Sequence, residues 1–347
     1  MPRKLVAIVL CLSLVLFGAL GCTSKASDKG SGDAASKSKE GKNVRVNIAT
    51  ATTAGIYYAL GNAIAKVWND QVKGLHASVQ STSGSTQNIE LLARKESQVA
   101  FLQNGVAGDA LNGKNVFEGK PRKDFLGMTY LYPNLCYFVV RKDSGINDLQ
   151  GLRGKKIIPG PVGSGTEINT REILSIVGID YKNNKDATAN YVSNAEAAEK
   201  FSDRQADMAF IAGGIPHASV TEMMTRGEAK ILEIKGEVRD KLMQKYPAYF
   251  PIEVPANSYK GQSEPVQTVA VANILVCSKD LDEKLVYDML KSLYDNKDVL
   301  ANTYKEAASF QIKNGLNGMT VPLHPGAVKF FEDHGVKVPE HLKPKTT

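Results

Sequence analysis

The chain has 347 residues, 43% of them hydrophobic and 23% charged. At roughly 100–200 residues per domain this suggests about two domains, and the balance excludes a disordered chain, a collagen-like chain and a polytopic membrane protein. Of the net charge of +7, Arg3 and Lys4 supply two units and residues 22–42 two more, which leaves +3 on 43–347. A folded region so near neutral is a poor binder of phosphate backbones, so no nucleic-acid partner is expected.

The basic start at Arg3 and Lys4 is followed by an apolar run, Leu5 to Phe17, broken only by Ser13. The run is too short for a stable bilayer anchor and suits a signal-peptide core. Ala19-Leu20-Gly21-Cys22 then resembles a bacterial lipobox, although Ala19 and Leu20 depart from its usual order. Residues 1–21 therefore read as a lipoprotein signal peptide and Cys22 as the lipidated residue. Residues 22–42 carry no large apolar side chain after Cys22 and read as a flexible tether. Of the remaining cysteines, Cys136 and Cys277 lie in apolar runs and read as small buried hydrophobes, with a disulfide as the alternative.

From Asn43 the pattern alternates strand and helix. Val44–Ala49 alternates apolar and polar residues, and Ile56, Leu60, Ile64 and Val67 recur at helical spacing. A strand over Ala77–Gln80, a helix through Ile89 and Leu92, and a strand over Val99–Gln103 follow. The same order returns: a strand at Lys155–Pro159, a helix over Ile168–Val177, a strand at Tyr191–Ser193, a helix through Ala197 and Phe201, and a strand from Met208 to Ala212. Even the letters agree, with SQVAFLQNG at 97–105 against ADMAFIAGG at 206–214. This predicts two lobes of similar build, each an α/β sheet of largely parallel strands. Strands at Leu135–Arg141 and Thr268–Cys277 flank the second lobe and suggest a two-stranded hinge. Lobe I then takes 43–140 and 267–347, lobe II takes 141–266, and helices such as Leu285–Tyr294 finish the chain.

No G-x-S-x-G, H-E-x-x-H, Walker A or complete G-x-G-x-x-G run is present. His76, His217, His324, His334 and His341 are scattered without ligand spacing and read as structural or exposed, so no metal site, cofactor or enzymatic role is expected. What remains is a set of small polar loops after strands: Thr50–Gly55, Ser81–Thr86 and Gly160–Thr166, with Gly213 and Gly214 after a fourth. In open α/β sheets ligands bind beyond the carboxyl ends of strands, where helix starts offer unpaired N–H groups. Such loops favour a small anionic or zwitterionic ligand. Many loops of this composition are only caps and turns.

The chain resembles the TAXI family, the solute-binding proteins of a class of TRAP transporters, across nearly all of 43–335. The ordered set Ile48-Ala49-Thr50 with Gly55-Ile56-Tyr57-Tyr58-Ala59-Leu60-Gly61, Ser81-Thr82-Ser83-Gly84-Ser85 with Asn88, and Arg141-Lys142-Asp143-Ser144-Gly145-Ile146 opens the resemblance. Gly151-Leu152-Arg153-Gly154-Lys155-Lys156, Gly163-Ser164-Gly165-Thr166, Gly213-Gly214-Ile215-Pro216 and Pro322-Leu323-His324-Pro325-Gly326-Ala327 complete it. The first loop is poorer in Gly than in relatives, and Ser83 stands where a second Gly is common. The resemblance implies a bilobal periplasmic-binding-protein fold of type II. It also implies capture of an anion or amino acid, glutamate or a dicarboxylate among them, and delivery to a TRAP permease.

Roles follow the loops. Ser164, Gly165 and Thr166, with Gly163, hold a carboxylate at a helix start, and Ser83 and Ser85 act likewise from the first lobe. Thr52, Gly55, Gly213 and Gly214 line the cleft, and Gln103 offers its amide. Tyr57 reads either as a ligand-packing ring or as a core residue. Arg141 reads either as a counter-charge or as a solvated strand end. The expected protein is a monomeric lipoprotein on the periplasmic or cell-surface side, held to the membrane through Cys22. The alternative is a surface lipoprotein acting as a sensory or interaction partner.

Overall fold

A computed structural model of the protein describes residues 43–344 apart from Arg226. The signal peptide, Cys22 and the tether lie outside the described residues. The strands are β1 (Val44–Ala49), β2 (Leu75–Gln80), β3 (Val99–Gln103), β4 (Phe125–Arg141), β5 (Lys156–Ile158), β6 (Thr188–Ala189), β7 (Met208–Gly213), β8 (Ala229–Leu232), β9 (Phe250–Val254) and β10 (Val266–Ser278). The helices are α1 (Ile56–Gln71), α2 (Ser85–Ala93), α3 (Asn104–Asn112), α4 (Gly165–Ile176), α5 (Asn194–Ser202), α6 (Ala218–Met224), α7 (Gly236–Lys245), α8 (Glu283–Asp295), α9 (Lys297–Thr303) and α10 (Pro325–Asp333). No helix among the described residues is long and apolar enough to cross a membrane.

One mixed sheet runs β2-β1-β3-β10-β4-β7-β5-β6, with β9 on β10 and β8 on β4. The internal repeat is visible in this order. Read outward from the middle, one half is β10, β3, β1, β2 and the other β4, β7, β5, β6. In each half the first strand of the unit sits between the second and the third, and these three are parallel. The reading of largely parallel sheets needs correction beyond those trios. β10 is antiparallel to β3, β4 and β9, and β4 is antiparallel to β7 and β8. β9 and β10 follow one another with no helix between them, which leaves antiparallel pairing open to that pair.

β4 and β10 run antiparallel through the middle of the molecule, from Ser278↔Phe125 to Ala270↔Leu135. The hydrophobic cores change over along this pair. One cluster takes β4 as far as Tyr132 and β10 from Ala272 onward, and joins α1, α2, α8 and α10. Two others, on opposite faces of the second half of the sheet, take β4 from Leu135 and β10 up to Val271. Helical spacing accounts for how the helices dock: Leu60, Ile64, Val67 and Trp68 of α1 are buried, and the Trp68 indole N–H donates to Met289 O in α8. Burying each such side chain contributes about 1.5–3 kcal/mol.

One local expectation shifts, and the reading of Cys136 and Cys277 as buried hydrophobes agrees with the structure. Tyr191–Ser193 forms no strand; the short strand lies earlier, at Thr188–Ala189, and Ser193 caps α5 by accepting the Glu196 N–H. Cys136 and Cys277 are both buried and unbonded, in different cores, and burial pushes both thiols up.

Candidate functional site

The carboxyl ends of β1, β2 and β3 are tied together by Asn88. Its amide donates to Thr50 O (2.7 Å) and Phe101 O (2.8 Å) and accepts from Thr82 Oγ1 (2.7 Å). Gly84 N–H donates to that same threonine oxygen (3.0 Å). This fixes where α1 and α2 begin. The caps of these helices, Gly55 and Gly84, have no side chain to take up first-turn N–H groups. Gly84 also sits at φ 114° and ψ −153°, a conformation open in practice only to glycine.

From the other half comes α4. Ser164 caps it in a Ser-x-x-Glu arrangement, accepting the Glu167 N–H at 3.0 Å. That leaves the N–H groups of Gly165 and Thr166 without an intrahelical partner. Gly84 and Ser164 face each other closely: a Cβ on Gly84 would stand 3.7 Å from Ser164 Cβ. A Cβ on Gly165 would stand 2.6 Å from the Gln103 side-chain Cδ and Oε1. Only a glycine lets the helix start come this near to β3.

These helix starts surround one cavity of about 60 Å³. Thr52, Gly55, Tyr57, Ser83, Ser85, Gln103, Ser164, Gly165, Thr166 and Gly213, all picked out from the sequence, line it. Gly163 and Gly214 do not. Gly163 lies in the turn just before Ser164, and Gly214 packs its Cα against the Tyr304 hydroxyl. Arg141 does not line it either, which corrects the counter-charge reading. It ends β4 beside Asp143 (3.0 Å) and Asp207 (3.7 Å), and these carboxylates hold its guanidinium there. Tyr57 is largely core, with its ring 5.0 Å from Phe101 and its hydroxyl donating to Asn273 Oδ1.

Ala51, Gly84 and Pro161 line the cavity from within the loops singled out above, and pattern reading missed Ile56, Tyr132, Asn134, Asn194, Ala212 and His217. Asn134 is an isolated amide in the apolar run around Leu131–Leu135, which was the available signal. His217 caps α6 just beyond the Gly213-Gly214 loop. Its Nδ1 accepts the Ser219 N–H at 3.2 Å, which leaves Nε2 to carry the ring proton. Burial lowers its pKa to about 4, so the ring is neutral near pH 7.

Among the described residues no Asp, Glu, Lys or Arg lines the cavity. Its polarity comes from hydroxyls, amides, one neutral imidazole and the starts of α1, α2 and α4. Gln103 is 3% exposed, its Oε1 is buried, and its side-chain amide has no hydrogen-bond partner among the described residues. Its backbone N–H donates to Ser85 Oγ at 3.1 Å. A buried amide left open at the meeting point of helix starts is equipped to complete its bonding with a small molecule.

Comparison with solved structures places the fold. MatC from Rhodopseudomonas palustris, solved with bound malate, is 13% identical with a TM-score of 0.52, over 76% of this chain and 89% of that one. The alkanesulfonate-binding protein SsuA from Xanthomonas axonopodis pv. citri, bound to MOPS, is 15% identical with a TM-score of 0.48, over 84% of each chain. The likeness to MatC shows the fold alone, a mixed α/β fold that matches periplasmic binding protein structures. The NMT1-like family matches residues 48–335, a span that holds every residue of the cavity, and this protein belongs to that family.

Proposed function

We propose that the protein is an extracytoplasmic solute-binding receptor of the TAXI type. It takes a small organic anion or amino acid into the cavity, with glutamate and dicarboxylates in that class, and delivers it unchanged to a TRAP permease. The observation that carries this reading is the uncharged cavity where α1, α2 and α4 begin and where the buried Gln103 Oε1 has no hydrogen-bond partner among the described residues. Helix starts attract anions through unpaired N–H groups and the positive end of the helix dipole. The ordered residue set quoted above supports the TAXI assignment, and membership of the NMT1-like family is compatible with it.

The two lobes, 43–140 with 267–347 and 141–266, close over the ligand in this reading. We place the pivot where the cores change over, at Pro133–Asn134 in β4 and Val271–Ala272 in β10. The ligand must bind the closed state better to drive that change. Lipid on Cys22 holds the receptor at the membrane beside its permease.

A thermal-shift screen against amino acids, dicarboxylates, keto acids and sugars tests the reading. Ligand at 100 times its dissociation constant adds about 2.7 kcal/mol of stability. A shift with an organic anion or amino acid is the expected result. Shifts with sugars alone, or silence from a sample unfolded and refolded to strip bound ligand, would overturn it.

A further inference from the structure

The charge pattern of the cavity narrows the ligand. Three helices of at least nine residues begin there, each carrying roughly half a positive charge at its start. That field favours one carboxylate and opposes an ammonium. Among the lining residues no carboxylate offsets an ammonium, and no Lys or Arg meets a second carboxylate. The cavity measures about 60 Å³, against roughly 150 Å³ for a cavity that takes up benzene. In this arrangement it suits a small ligand.

Gln103 supplies an independent observation. It is nearly fully buried, lines the cavity, and packs its amide against Gly165 at the first residue of α4. With Oε1 buried and no partner for the amide among the described residues, it can accept from a ligand hydroxyl or donate to a ligand oxo group. Ala51, Ile56, Tyr132 and Ala212 add apolar wall, which suits a carbon skeleton better than an inorganic oxyanion.

We infer that the cavity selects a 2-hydroxy or 2-oxo monocarboxylate, its carboxylate at the helix starts and its 2-oxygen on the Gln103 amide. This rests on the receptor reading above and specifies its ligand. The step is binding only, with no bond made or broken.

The test is calorimetric titration of the full chain, stripped by unfolding and refolding, with lactate, pyruvate, alanine, glutamate, malate and sulfate. Lactate or pyruvate binding at least about tenfold more tightly than alanine, glutamate and malate is the expected result. Alanine shares the lactate skeleton and differs by the ammonium; malate adds only the second carboxylate group. Equal or tighter binding of alanine, glutamate or malate would overturn the inference while leaving the receptor reading intact. Sulfate as the tightest ligand would also overturn the inference. No binding by any organic member, with none by other organic anions, amino acids or sugars, would sink both. In Gln103→Glu, a folded variant should shift the alanine-to-lactate affinity ratio toward alanine by about tenfold or more, since a carboxylate now meets the ammonium. An unchanged ratio in folded protein would remove Gln103 as the selector. If the variant does not fold, the wild-type series alone decides.

Discussion

His217 ties the cavity to pH. Burial lowers its pKa from 6.5 to about 4, so the folded protein resists a proton that the unfolded chain accepts. Stability linked to this group is full above about pH 6.5 and falls as pH drops toward 4, by roughly 3 kcal/mol in all. Urea unfolding at pH 7 and pH 4.5 should show this loss in the wild type and a smaller one in His217→Asn. Equal losses in both would contradict the assignment. Glu172 behaves in the opposite sense: burial raises its carboxyl to about 7, although the Tyr249 hydroxyl donates to it at 2.6 Å. Its ionisation therefore opposes folding as pH rises from about 4.5 through 7. Glu172→Gln should raise Tm at pH 8 and change it little at pH 4.5; a lower Tm at pH 8 would contradict this. At the cavity, Thr166→Val should weaken ligand binding by about 1–3 kcal/mol if its hydroxyl donates to the ligand. Unchanged affinity by calorimetry would take Thr166 out of the site.

The helix starts carry most of the site, and their legibility in the sequence was uneven. The loops after β1, β2 and β5 announced themselves by Gly, Ser and Thr at strand ends, and the Ser-x-x-Glu run at Ser164 marks the start of α4. The long strand β4 was legible only from Leu135 onward. Its first half, Phe125 to Tyr132, continues through Pro133, a residue that ordinarily argues against a central strand. Pro133 stays in register opposite Ala272, whose N–H donates to Asn104 Oδ1, and the ladder slips by one residue at Leu131. Tyr132 therefore entered the site unannounced, and Asn134 was marked only by its amide in an apolar run. His217 was hidden for another reason: its role as a helix cap depends on where β7 delivers the chain. One prediction belongs to this scale. Gly84→Ala forces a side chain into φ 114° and should cost about 1–3 kcal/mol of stability by urea unfolding. No loss would show that the start of α2 is not held in that conformation.

For the molecule as a whole, the repeat was the most informative feature of the sequence. Matching letters at 97–105 and 206–214 correspond to β3 and β7, which occupy equivalent places beside β10 and β4. Strand direction was less legible, because the helices that separate β4 from β7 and β7 from β8 do not impose it: both β7 and β8 pair antiparallel with β4. The close approach of Gly84 to Ser164 and of Gly165 to Gln103, with little or no room for a Cβ, brings the two halves of the sheet together at the cavity. If ligand favours this closed arrangement, small-angle scattering should record a smaller radius of gyration on adding the tightest small acid. An unchanged radius would remove lobe closure from the account.

The central claim is that an organic anion is held by the first-turn N–H groups of α1, α2 and α4. Amide nitrogen–proton spectra recorded during a titration with the tightest small acid test it most directly. The account predicts that the largest shifts fall on Tyr57, Ser85, Gly165 and Thr166, with the Gln103 side-chain amide moving in step. Heat of binding accompanied by no shift at these residues would contradict it.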